Sequence, residues 1–196
     1  PDSMSFEEAA MIEPLACCIR ALTKCDLKNM EYIVILGAGP VGIMNALLAR
    51  DAGVSKVFLI DPNEFRLDFS KKMGFEVLHP LNDEEKMRSL KGVLSGRGAD
   101  LVVIATSNQK AFTQSLKIVR KGGSIILFGV PAKSSLAEVD LSLLYANEIS
   151  ILSSYAATER ETNQALEILS NKHLNFGSLI THQFELEESK SAFRCA

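Results

Sequence analysis

Residues 37–42 read Gly-Ala-Gly-Pro-Val-Gly, a spacing that lets backbone N–H groups close around an anion. Each glycine has its own use. Gly37 permits a tight turn out of a strand, Gly39 lets backbone approach a pyrophosphate, and Gly42 allows close helix–sheet contact. Pro40 falls near the first helical position, where a missing N–H costs nothing, and Val41 continues the turn. Small residues then form a stripe, Gly42, Ala46, Ala49 and Gly53. A helix starting here presents free N–H groups and a partial positive charge to phosphates.

The second chemical group is a carboxylate. Asp61 lies 19 residues past Gly42, where it can accept both hydroxyls of an adenosine ribose and repel a 2′-phosphate. The pattern therefore predicts a dinucleotide site with NAD preferred over NADP; the alternative for Asp61 is a helix cap before Pro62. Arg66 can stack on adenine or reach the ribose, and because arginine also suits a 2′-phosphate it blurs that preference. Thr106 and Val130 fall in loops after later strands and leave room for the nicotinamide end.

These residues need a parallel sheet to hold them. Residues 32–36 are a short continuous apolar run, as expected of a strand buried on both faces. Further strands are predicted at 56–60, 75–78, 101–105, 124–129 (entered through a Gly122-Gly123 turn) and 149–152. Helices are predicted at 41–52, 64–73, 83–94, 109–119, 141–147 and 159–169. The alternation argues an α/β Rossmann fold, a doubly wound parallel six-stranded sheet with helices on both faces. Before it, Ser5 and Glu8 fit a capping box. The helix they open runs to Leu22 and should kink or split at Pro14.

Composition narrows the rest. With 47% hydrophobic and 23% charged residues and a net charge of −3, the chain can pack a core but carries no basic face for nucleic acid. No apolar run approaches the ~18–20 residues that span a bilayer. The opening Pro1-Asp2-Ser3-Met4 has neither the basic segment nor the apolar stretch of a signal peptide. Cys17, Cys18, Cys25 and Cys195 match neither a disulfide framework nor a zinc pattern, so free buried thiols in the cytoplasm are expected. His79, His173 and His182 lack ligand spacing.

Taken together, these segments resemble the zinc-dependent medium-chain dehydrogenases, the branch with sorbitol, threonine and alcohol dehydrogenases. The resemblance rests on Met4-Ser5-Phe6-Glu7-Glu8-Ala9-Ala10 with Glu13-Pro14-Leu15, on the glycine motif, and on 61–66. Gly98-Ala99-Asp100, Gly122-Gly123 and Leu179-Ile180-Thr181-His182 extend it over nearly the whole chain. It implies a cofactor-binding domain at 31–196, truncated at its C-terminal end, with 1–30 leading from a catalytic domain that these residues do not include. It also implies a catalytic zinc in the full enzyme but not in this chain, with Glu13 near that zinc. The chain is then the NAD-binding part of an enzyme moving hydride between nicotinamide and an alcohol or ketone. No catalytic residue is expected in it, it is expected to be inactive alone, and it should assemble as a homodimer or homotetramer. Apolar residues 149–152 are the candidate pairing edge. The rival readings are a stand-alone NAD(H)-sensing module and an S-adenosylmethionine-dependent methyltransferase.

Overall fold

The computed structural model describes residues 4–80 and 84–195. Two short helices open it: α1 (Phe6–Ala10), held by the Ser5–Glu8 capping box, and α2 (Ile12–Leu22). The break falls at Met11, not at Pro14 itself. Pro14 has no N–H to give the Ala10 carbonyl, so α1 ends there, and in the first turn of α2 that N–H is not needed.

The sheet strands are β1 (Tyr32–Leu36), β2 (Lys56–Ile60), β3 (Glu76–Leu78), β4 (Ala99–Ile104), β5 (Val119–Leu127) and β6 (Ser150–Ser153). Their spatial order is β3-β2-β1-β4-β5-β6, and every pairing is parallel. The order reverses between β1 and β4, which leaves a crevice beyond their carboxyl ends. Alternate residues of β1 enter different layers: Ile33 and Ile35 pack on one face, Tyr32, Val34 and Leu36 on the other. That double burial is why the strand reads as an unbroken apolar run.

On the first face lie α2, α3 (Pro40–Asp51), α4 (Glu64–Lys72) and α8 (Glu159–Asn171). On the second lie α5 (Glu84–Val93) and α6 (Gln109–Ile118). The Rossmann arrangement with both faces covered is thus present. Two short helices, α7 (Leu141–Ala146) and α9 (Ser189–Cys195), and three 3-10 turns complete the elements of the described residues. Leu15, Ala16 and Ile19 of α2 share the core of α3 and α8.

Boundaries differ from expectation where glycine or main-chain pairing intervenes. β5 starts at Val119, which pairs with Ala99, and the ladder resumes at Leu101–Ser124. Gly122-Gly123 is therefore a bulge inside the strand and not a turn before it, with Gly122 at φ +66°. Gly53 does not continue the small-residue stripe. It is left-handed at φ +92° with open space around it, and it ends α3 while Val54 N–H bonds back to Ala49 O. Of the helix expected at 83–94, Asp83 lies outside the described residues, as do Pro1, Asp2 and Ser3.

At the amino ends of the strands, buried Asp100 ties three segments together. Its carboxylate accepts N–H bonds from Glu31 at 2.9 Å and Tyr32 at 2.8 Å, and the Arg120 Nε at 2.6 Å. This clasp fixes the entry to β1 and hence the glycine turn at its far end.

Candidate functional site

The turn after β1 is dictated by two carbonyls. Gly37 sits at φ +112°, where a Cβ would also fall 2.7 Å from Ala105 O. At Gly42 a Cβ would lie 1.9 Å from Gly37 O, so α3 presses directly onto the turn. Gly39 is different: a Cβ there would meet only Arg66 Nη1, at 4.0 Å. Its outer face is open, as an approaching phosphate needs. Pro40 occupies the first helical turn, and the first helical bond is Ile43 N–H to Gly39 O. The N–H groups of Val41 and Gly42 precede that bond and point outward from the helix start.

Asp61 is buried beside this turn. Its Oδ2 accepts the Ala38 N–H at 2.8 Å, and its Oδ1 accepts the Asn63 N–H at 2.8 Å. The helix-cap alternative is excluded by position, because Asn63 caps α4. Arg66 Nη1 lies 3.6 Å from Asp61 Oδ2 and is about half exposed. A carboxylate has about four lone-pair sites, so Asp61 keeps acceptor capacity for a ligand.

A cavity of about 320 Å³ joins Gly37, Asp61, Arg66, Thr106 and Lys110. The structure thus brings four of the expected residues together, leaves Gly39, Pro40, Val41 and Gly42 outside the lining, and adds Lys110 and Gln114. Lys110 and Gln114 stand one turn apart on α6 and face this cavity. The reversal of strand order points to the helix after β4, but nothing in the local pattern around Lys110 sets it apart from a surface lysine.

Val130 and Glu13 lie elsewhere. Val130 belongs to a separate cavity beyond β5, shared at its edge by Thr106. Gly129 bends the chain beneath Thr106, whose carbonyl a Cβ would approach to 2.4 Å. Glu13 is exposed in the first turn of α2 and accepts the Cys17 Sγ–H at 3.3 Å. Burial first, then that carboxylate, pushes the Cys17 thiol up to about 11. Among the described residues no three of His, Cys, Asp or Glu converge on a metal position. His79 pairs with Glu64 and His173 with Asp51, each at 3.3 Å on the surface. All four cysteines are free, yet only Cys18 is fully buried and Cys195 is exposed. The expectation of buried thiols fails at Cys195 because short terminal α9 covers nothing.

The zinc-binding dehydrogenase family matches residues 40–171. Sorbitol dehydrogenase of Bacillus subtilis (strain 168) is 30% identical over 198 residues, taking in 100% of this chain and 55% of that protein. An alcohol dehydrogenase from Thermus sp. ATN1 superposes with a TM-score of 0.88 at 23% identity, over 99% of this chain and 56% of its own. A structure from Sinorhizobium meliloti 1021, solved with NADP bound, gives 0.74 at 22% identity over 83% and 48%. At those identities the two structures speak for the fold. The chain spans about half the length of the curated relatives it matches.

Proposed function

The chain belongs to the zinc-binding dehydrogenase family, and we propose that it is the NAD-binding part of an alcohol or polyol dehydrogenase. The observation that carries this reading is the open face of Gly39 beside the buried Asp61 carboxylate. Together they form a place where backbone meets a pyrophosphate while an acid meets a ribose.

In this reading the Val41 and Gly42 N–H groups bind the pyrophosphate at the start of α3. Asp61 accepts the adenosine ribose hydroxyls, and Arg66 and Lys110 add positive charge to the cavity wall. Thr106 and Val130 flank the nicotinamide end. The bound dinucleotide supplies the hydride chemistry; the chain supplies position. Substrate, an alcohol or its ketone, is inferred from sorbitol dehydrogenase and similar relatives.

Zinc does not fit these residues alone. Glu13 has one neighbouring donor, Cys17, and zinc takes four ligands. We place Glu13 on the side of the zinc in the whole enzyme and expect no alcohol turnover from this chain by itself. Among the described residues no helix is long and apolar enough to cross a membrane. The four free thiols support a reducing compartment, the cytoplasm. The open edge of β6 supports a homodimer or homotetramer.

A fluorescence titration with NADH and NADPH in parallel tests the reading. Tighter NADH binding, lost in Asp61→Ala, is expected. Binding of neither dinucleotide, with tight S-adenosylmethionine binding instead, overturns it in favour of a methyltransferase. A redox-sensing module gains no support from the family match, which covers dehydrogenases.

A further inference from the structure

Asn45 lies in α3 where that helix meets α2, and it is fully buried, 0% exposed. Its Nδ2 donates to the Val41 carbonyl at 2.8 Å and to Cys18 Sγ at 3.2 Å. The Cys18 thiol, on α2, donates to the same carbonyl at 3.6 Å. Asn45 Oδ1 is buried with no hydrogen-bond partner.

A buried amide left half satisfied costs stability and is rare. The layer it enters is built of residues such as Leu15, Ala16, Ala46 and Leu47, so an apolar side chain would suit the packing better. What the amide secures is one atom, Val41 O. The Val41 carbonyl and the Gly42 N–H are opposite ends of one planar peptide unit. Holding the oxygen therefore fixes the direction of the N–H, which lies ahead of the first helical bond from Ile43 N–H to Gly39 O. Hydrogen bonds to the carbonyl also polarise the unit and strengthen its N–H as a donor.

We propose that Asn45, braced by Cys18, is a positioning residue for the pyrophosphate: by pinning Val41 O from inside the core it aims the Gly42 N–H at an anion that Asn45 never touches. This role rests on the dinucleotide reading of the site. It gives the unsatisfied amide a use that core packing does not.

Two variants of nearly equal shape test it. Asn45→Thr supplies a hydroxyl that donates to the carbonyl four residues back, and Asn45→Val has no donor. Each is titrated with NADH by fluorescence and with adenosine, which lacks phosphate, by NMR. Asn45→Thr should bind NADH within about twofold of the parent, and Asn45→Val about fivefold or more weaker. Adenosine affinity should agree within about twofold across all three proteins. The Gly42 amide proton should move downfield on NADH addition in the parent and Asn45→Thr, and much less in Asn45→Val. Urea unfolding should find Asn45→Val no less stable than Asn45→Thr, so that binding and stability do not fall together. Equal NADH affinity in the two variants overturns the role, as does an equal loss of adenosine and NADH, or the same Gly42 shift in both. A parent that binds no NADH is a different failure: the dinucleotide reading falls, and the role of Asn45 with it.

Discussion

Asp61 holds Ala38 across the mouth of the glycine turn, its Oδ2 2.8 Å from the Ala38 nitrogen. The same carboxylate that should read the ribose also shapes the turn that should hold the pyrophosphate. Loss of Asp61 is thus expected to act on both, and a substitution must separate them.

Asp61→Asn keeps the size and one acceptor while removing the charge. NADH affinity should fall at least about tenfold, since a hydrogen bond to a charged group contributes about 1.5–3 kcal/mol. NADPH affinity should fall less or rise, since repulsion of a 2′-phosphate is gone. Parallel titrations decide it: equal losses for both cofactors would mean that Asp61 only builds the turn.

Two glycines should part stability from binding. A Cβ at Gly39 meets only the end of Arg66, so Gly39→Ala should change unfolding stability by no more than about 0.5 kcal/mol. It should still cut NADH affinity at least about tenfold by filling the phosphate's approach. Gly42→Ala drives a methyl into Gly37 O and should cost about 2–3 kcal/mol of stability. Urea unfolding should separate the two variants, and NADH titration should show that Gly39→Ala loses binding while keeping its stability.

The glycine motif, Asp61 and the strand alternation were legible in the sequence because each depends on local rules: a turn that needs left-handed backbone, an acid at a strand end, an apolar run buried twice. Lys110 was not, since its place at the cavity comes from strand order and no local pattern marks it. The β5 start was missed because Val119 pairs with Ala99 ahead of a glycine pair, and a bulge and a turn look alike in sequence. Gly53 was misread because a helix-ending glycine fell in register with a packing stripe.

Asp100 predicts a pH dependence. Burial would raise its carboxyl, but the Tyr32 N–H, the Arg120 guanidinium and the Glu31 N–H together hold it below the usual value. A depressed folded-state pKa contributes stability above the unfolded pKa of ~4, which is lost as pH falls through the lower folded value. Asp100→Asn should therefore cost about 3 kcal/mol at pH 7, and its deficit relative to the parent should shrink toward pH 3. A deficit that stays constant across urea titrations at both pH values would assign the loss to packing instead.

The thiols should react in order of exposure. Cys17 is pushed up to about 11 by burial and by Glu13, and burial also raises Cys18 and Cys25. At pH 8 these three stay protonated, and the thiolate is the reactive form. A colorimetric thiol reagent should show one fast equivalent, removed by Cys195→Ser, with the others appearing only on unfolding. A second fast equivalent in the native chain would show that α2 opens readily.

The last relationship concerns the free side of β6. It ends the strand order, and its outer main-chain groups are open to another strand, the arrangement that invites a second sheet. Beside it Leu141 and Tyr145 of α7 are 74% and 88% exposed, large apolar groups where a monomer gains nothing by showing them. A two-fold axis at this edge would pair β6 with its own copy and cover both side chains. Sedimentation equilibrium should then find a dimer, and Tyr145→Lys should weaken it at least about tenfold with an unchanged circular dichroism spectrum. A chain that stays monomeric at ~100 μM, far above the μM-scale dissociation constants common for interfaces of standard size, would leave the β6 edge without a partner of its own kind.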